Sequence, residues 1–134
     1  MEIRAVHHVA MVVDDLGEAI ETHRRLFGAE LEIRERLESQ RVEAAILRLG
    51  EGRIELIAPL DQESGVARFL ASRGPGLHHV ALEVPDVASA LAELGRAGVT
   101  LLDEKPRRGL GGHEVAFVHP DSVHGVLVEV VAHG

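Results

Sequence analysis

Residues 76–84 read GLHHVALEV, and residues 7–13, HHVAMVV, repeat that stretch near the start of the chain. An offset of 71 is kept through His7/His78, His8/His79, Val9/Val80, Ala10/Ala81, Val13/Val84 and Asp15/Asp86. Each copy reads as a strand followed by the start of a helix, so the chain is organised as two copies of one unit. A histidine pair is a poor choice for a strand on packing grounds alone, and its return in the same frame asks for a chemical reason. The plain alternative is a duplicated structural strand whose histidines fill space.

Working outward from the first copy, residues 3–13 read as a strand and 16–27 as a helix. Asp15 is its N-cap, Glu18 the capping-box partner and Gly28 the left-handed stop. A short extended piece at 31–33, a strand at 41–49, a turn at 50–52 and a return strand at 53–58 complete a β-α-β-β-β module. A connector follows, with a short helix capped by Ser64 and ending before Gly74-Pro75. The second module repeats the order: strand 77–84, helix from the Asp86 cap to about Ala97 with Gly98 as its stop, and short strand 99–102. Then come a Gly-rich loop at 105–112, strand 113–119, turn 120–124 and last strand 125–131. The expectation is an α+β chain forming one domain over 1–134, with module 1 at 1–59, the connector at 60–76 and module 2 at 77–134.

The chain has 134 residues, 46% hydrophobic and 27% charged, the balance of a folded globular protein. Its net charge of -8 argues against general nucleic-acid binding, because no broad basic face is available to release counterions. With no Cys there is neither a disulfide framework nor a thiolate metal site, so any metal must sit on His, Asp or Glu. No apolar run reaches membrane-spanning length, and the first residues, MEIRAVHHV, lack the features of a secretory signal. A cytoplasmic location is the expectation.

Side chains alternate faces along a strand. His7 therefore falls with Val9, Met11 and Val13, and His78 with Val80, Leu82 and Val84; these are read as packing histidines under the amphipathic helices. His8 and His79 look the other way, beside the small residues Ala10 and Ala81, where a cavity can open. Glu129 shares a face with Leu127 and Val131, and Glu55 with Ile57. A carboxylate buried among such neighbours must be paired, protonated or metal-bound. If the strands hold corresponding places in the two modules, His8, Glu55, His79 and Glu129 can converge as a mixed N/O site for a divalent ion. Either Glu taken singly reads more plainly as a solvated edge residue. Glu43, with Ala45 and Leu47, is a further candidate for the cavity and a candidate general base. Lys105, Arg107 and Arg108 read first as solvated surface, and as phosphate contacts only second.

Three stretches together, VHHVAMVVDDL (6–16), IELIAPLDQESGVARFLASRGPGLHHVALEV (54–84) and GGHEVAFVHPDSVHGVLVEVV (111–131), resemble the vicinal oxygen chelate superfamily and, within it, the methylmalonyl-CoA epimerase family. The resemblance implies tandem β-α-β-β-β modules forming a curved mixed sheet around a metal cavity. It implies metal ligands at His8, Glu55, His79 and Glu129, the place of Glu55 being Gln in some relatives. It also implies acid/base carboxylates at Glu43 and Glu129, the first on a looser match, and no organic cofactor. The implied ion is divalent, Co2+ or otherwise Mn2+, Mg2+, Ni2+ or Zn2+. The implied activity interconverts the (R) and (S) forms of methylmalonyl-CoA by proton removal and return through a metal-stabilised enolate, in a homodimer. Two rivals stay open: a glyoxalase I type lactoylglutathione lyase, which shares the His, Glu, His, Glu set, and a non-catalytic small-molecule-binding protein of the same fold.

Overall fold

In the computed structural model, which describes residues 1–133, the β-α-β-β-β order occurs twice. The first run is β1 (Ala5–Val12), α1 (Leu16–Phe27), β2 (Glu30–Leu37), β3 (Val42–Leu49) and β4 (Gly52–Pro59). Helix α2 (Gly65–Arg73) connects it to β5 (Gly76–Glu83), α3 (Val87–Arg96), β6 (Arg107–Arg108), β7 (Glu114–Val118) and β8 (Val128–Ala132). Contacts divide the chain into two compact units, one of Val9–His78 and one of Met1–His8 with the chain from His79 on. Strand β1 thus gives its first half to one unit and its second half to the other.

In the Val9–His78 unit, β3 runs antiparallel to both β2 and β4, while β4 runs parallel to β1. Helix α1 starts where the capping signal places it: the backbone N–H of Glu18 donates to Asp15 Oδ1 at 3.0 Å. It stops at Gly28, whose φ of 66° closes the last turn, with Arg24 and Arg25 at the negative end of the helix dipole. Leu16 and Ile20 of α1 pack on Ala45, Leu47, Ile54, Leu56 and Ala58, and Met11 and Val13 join them. That cluster occupies one face of β3 and β4 and is the hydrophobic core of the unit. Ser64, 2% exposed, accepts from the N–H groups of Val66 and Ala67 and so caps α2. Ser64→Ala removes the acceptor from a buried helix start and is expected to lower stability by about 1–2 kcal/mol, read from a denaturant midpoint.

Two differences from the sequence reading have a clear cause in this unit. β3 begins at Val42 and not at Arg41, because Arg41 adopts φ 58°, a left-handed conformation that no strand residue takes. β2 extends through eight residues instead of a short piece. Its alternating charges find partners on the two strands that follow it, Arg34 Nε with Glu43 Oε2 of β3 at 3.2 Å and Glu32 Oε1 with Arg53 Nε of β4 at 2.9 Å.

The other unit has β5 parallel to β8, β7 antiparallel to β8, and β6 antiparallel to β7. Helix α3 lays Val87, Ala90 and Leu91 on Val84, Ala116, Val130 and Ala132. Its cap is Asp86, whose Oδ2 accepts from the Ser89 hydroxyl at 2.7 Å and the Ser89 N–H at 2.8 Å. Those bonds hold the Asp86 carboxyl below its ordinary pKa. The strand expected at 99–102 is reduced to one bridge, Leu101 to Val118. Its ladder ends because the Asp103 carboxylate accepts the Phe117 N–H at 2.8 Å, where a further strand residue would offer its carbonyl. The partner of β7 at its other end is β6, inside the segment read as a Gly-rich loop. There Gly109 approaches Val115 so closely that a Cβ would stand 2.9 Å from Val115 Cγ1.

Candidate metal centre

His8, His79 and Glu129 meet in the unit that holds β5 and β8. All three are buried, at 4%, 4% and 5% exposure, and each offers one ligand atom within 4.8 Å of the others. His8 Nε2 is 3.3 Å from His79 Nε2, and the two carboxylate oxygens of Glu129 lie 3.4 Å from His8 Nε2 and 3.7 Å from His79 Nε2. Sequence places them there simply. His8 and His79 take the same position in the two HHVA copies, and the β5–β8 register sets Glu129 beside Ala81, two residues after His79. Residues on one face of parallel neighbours at that spacing bring their side-chain ends together.

These separations fit a divalent ion. Donor atoms about 2.1 Å from one ion stand about 3.0 Å apart at octahedral angles and about 3.4 Å apart at tetrahedral ones. The observed 3.3, 3.4 and 3.7 Å need only a slight contraction to reach that arrangement. A buried carboxylate between two imidazole nitrogens is also the charge and donor set that a zinc- or cobalt-like ion takes.

His7, read from parity as a packing residue, has a second task. Its Nδ1 lies 2.8 Å from Nδ1 of His8. When His8 donates in that bond, its Nε2 carries a lone pair directed at Glu129 and His79, the orientation a ligand needs. Phe117 was not singled out by sequence reasoning. It pairs across strands with Glu129, and its ring lies edge-on to His79 with centroids 5.1 Å apart. Arg107 stands over the Phe117 ring, its guanidinium 5.3 Å from the centroid and its Nε 3.5 Å from Asp103 Oδ2. That engagement accounts for Arg107 without a phosphate. A period-two reading of β7 places Phe117 with Val115, but only the register reveals its contact with the histidine.

Glu55 belongs to the Val9–His78 unit. It is 9% exposed and pairs with Ala10 on β1 and with Ile46 on β3, so it occupies the face of β4 turned away from α1. His78 in the same unit is half-buried against Phe69, ring centroids 5.3 Å apart. Burial pushes its imidazole below the ordinary pKa, the Glu55 carboxylate opposes that shift, and the Arg73 guanidinium adds to it.

Glu43 is placed differently from the expectation attached to it. It does share a face with Ala45 and Leu47, but that face is the one α1 covers, opposite the face of Glu55. The reason is the one-residue alternation: Ala44 and Ile46, not Glu43, stand on the Glu55 side, paired with Ile57 and Glu55. Glu43 is instead partly exposed and held by Arg34 at 3.2 Å. Glu43→Gln is therefore expected to change kcat/KM by less than about threefold, the scale of a surface substitution. A loss beyond a hundredfold in steady-state assays would return Glu43 to the chemistry.

Comparison with known proteins shows the family and the fold. The model of the Glyoxalase/Bleomycin resistance protein/Dioxygenase superfamily matches residues 7–117. The ethylmalonyl-CoA/methylmalonyl-CoA epimerase of Cereibacter sphaeroides is 35% identical over 130 residues, 96% of this chain and 97% of that protein. The crystal structure of methylmalonyl-CoA epimerase from Mycobacterium tuberculosis superposes with a TM-score of 0.94 at 35% identity, covering 98% of this chain and 89% of that one. A methylmalonyl-CoA epimerase solved in complex with methylmalonyl-CoA and NH4+ gives 0.95 at 32% identity, covering 99% and 96%. At these scores the fold that the resemblance implies, tandem β-α-β-β-β modules of the vicinal oxygen chelate type, is the fold of the chain.

Proposed function

The chain belongs to the methylmalonyl-CoA epimerase family of the glyoxalase-like superfamily, and from that premise we propose that it interconverts the (R) and (S) forms of methylmalonyl-CoA with the help of a divalent ion. The observation that carries the reading is the buried meeting of His8, His79 and Glu129. We assign these three as ligands, with Glu55 as the fourth, by its match to the family. A divalent ion held there supplies Lewis-acid polarisation of substrate carbonyl oxygens.

The chain's own residues do the rest. The carbon to be inverted lies between a carboxylate and a thioester carbonyl, and its proton must leave one face and return on the other. Glu129 is the residue we assign to exchange the proton on one face, since its carboxylate already lies among the proposed ligands; a second acid/base group serves the opposite face. Burial of the cluster keeps bulk water from competing for the proton and strengthens each charge interaction there. His7 holds His8 in the ligating orientation. A homodimer working on an acyl-CoA substrate, with cobalt as the first ion to try, completes the proposal. No helix among the described residues is long and apolar enough to cross a membrane.

The glyoxalase I type alternative uses similar proton-transfer chemistry, so substrates must separate the two. Metal-loaded protein offered methylmalonyl-CoA and, in parallel, the methylglyoxal-glutathione hemithioacetal should turn over the first and not the second. The reverse preference would reassign the activity within the superfamily. Turnover of neither by protein that never retains metal would favour the binding-protein reading.

A further inference from the structure

We propose that His7, Glu83 and His133 form a second binding site for a divalent transition-metal ion, one that competes with the first. One ligand atom from each of the three lies within 4.8 Å of the others, a group distinct from His8, His79 and Glu129. His133 Nε2 stands 3.7 Å from Glu83 Oε2. The imidazole of His7 has its centroid 5.6 Å from that of His133, and His113 adds a third ring 4.7 Å from His133 and 5.9 Å from His7. These residues come from β1, the end of β5, the segment before β7 and the chain after β8, so local sequence does not account for their meeting. Two imidazoles and one carboxylate are the donor set of zinc sites that keep a position open. The graded burial agrees: His7 is 6% exposed, while the side chains of Glu83 and His133 are 19% and 57% exposed, leaving the outer side of the site to water.

Competition follows from hydrogen-bond accounting at the His7–His8 contact. One proton lies between the two Nδ1 atoms at 2.8 Å. With Nδ1 turned to His8, Nε2 is the nitrogen that His7 offers an ion. If His8 donates, neutral His8 presents a lone pair at Nε2 for the first ion, and neutral His7 keeps its hydrogen at Nε2. If His7 donates, the two roles exchange, and His7 can ligate while His8 cannot. The tautomer that opens one site closes the other. A second ion therefore binds more weakly than the first, and filling either site weakens the other. The competition rests on the ligand assignment made for His8; the second site itself does not.

The test uses Zn2+ alone as the probe and the full chain throughout. In a His79→Ala background, calorimetric titration should still find one equivalent of Zn2+, and adding Glu83→Gln with His133→Ala should weaken it by about tenfold or more. Zn2+ affinity unchanged by those two substitutions, in variants whose melting curves match their parent, would overturn the site. In otherwise parental protein, a second equivalent of Zn2+ should bind at least about tenfold more weakly than the one equivalent bound by His79→Ala, in which the first site is lost. A second equivalent that binds the parent as tightly as it binds His79→Ala would overturn the competition. The titration arm reads metal alone, so it stands or falls apart from the proposed reaction.

Discussion

Glu129→Gln should lower kcat/KM for methylmalonyl-CoA epimerisation by about 10²- to 10⁴-fold, the range a positioned acid/base group contributes. The side chain is 5% exposed and lies 3.4 and 3.7 Å from the Nε2 atoms of His8 and His79. The amide keeps its shape and most of its packing. It removes the charge that both holds an ion and accepts a proton. Because an isolated buried carboxylate is costly, the metal-free variant should melt no lower than the metal-free parent. That split, activity gone and fold intact, distinguishes a chemical role from a structural one. A Gln variant within tenfold of the parent at saturating metal would remove Glu129 from the chemistry.

His79→Ala should abolish tight metal binding and activity together. His79 is 4% exposed, with Phe117 edge-on to its ring and Glu129 and His8 at its Nε2. Truncation removes a ligand and opens a space where the imidazole stood, so stability also falls, by about 2–4 kcal/mol. Metal analysis after gel filtration should find the tight equivalent lost, and turnover should fall below about a hundredth of the parent. A variant that keeps its tight ion with Glu83→Gln and His133→Ala also in place would show that the three buried residues are not the ligands.

Much of the site was legible because strands alternate and the chain repeats itself. The HHVA frame separated His8 and His79 from their neighbours, and the last strand of the second module supplied Glu129; those three do meet. The helices were equally readable, since Asp15, Ser64 and Asp86 cap them and Gly28 ends the first. The family, too, could be recognised from three stretches spread over most of the chain. Glu43 was harder. Alternation correctly grouped it with Ala45 and Leu47, but only register with β4 and contact with α1 shows that this group faces the helix. A one-residue difference on a strand reverses a side chain, and a loose motif match carries no such information.

The other misses share a cause. The bond from His7 to His8 joins ring nitrogens of adjacent residues that nominally face apart, which strand parity forbids and side-chain torsion permits. Phe117 and β6 are consequences of tertiary register, and Asp103 ends a ladder by a side-chain bond that no periodicity reveals. The cluster of His7, Glu83 and His133 likewise draws on segments far apart in sequence.

The central claim, that a buried His8–His79–Glu129 centre inverts the substrate through proton removal, is tested most directly by one NMR experiment in heavy water. Protein carrying one equivalent of Co2+ is mixed with a single stereoisomer of methylmalonyl-CoA. Deuterium should enter the carbon between carboxylate and thioester at a rate comparable to the appearance of the other stereoisomer. Metal-loaded protein that leaves both the proton and the configuration untouched would contradict the account.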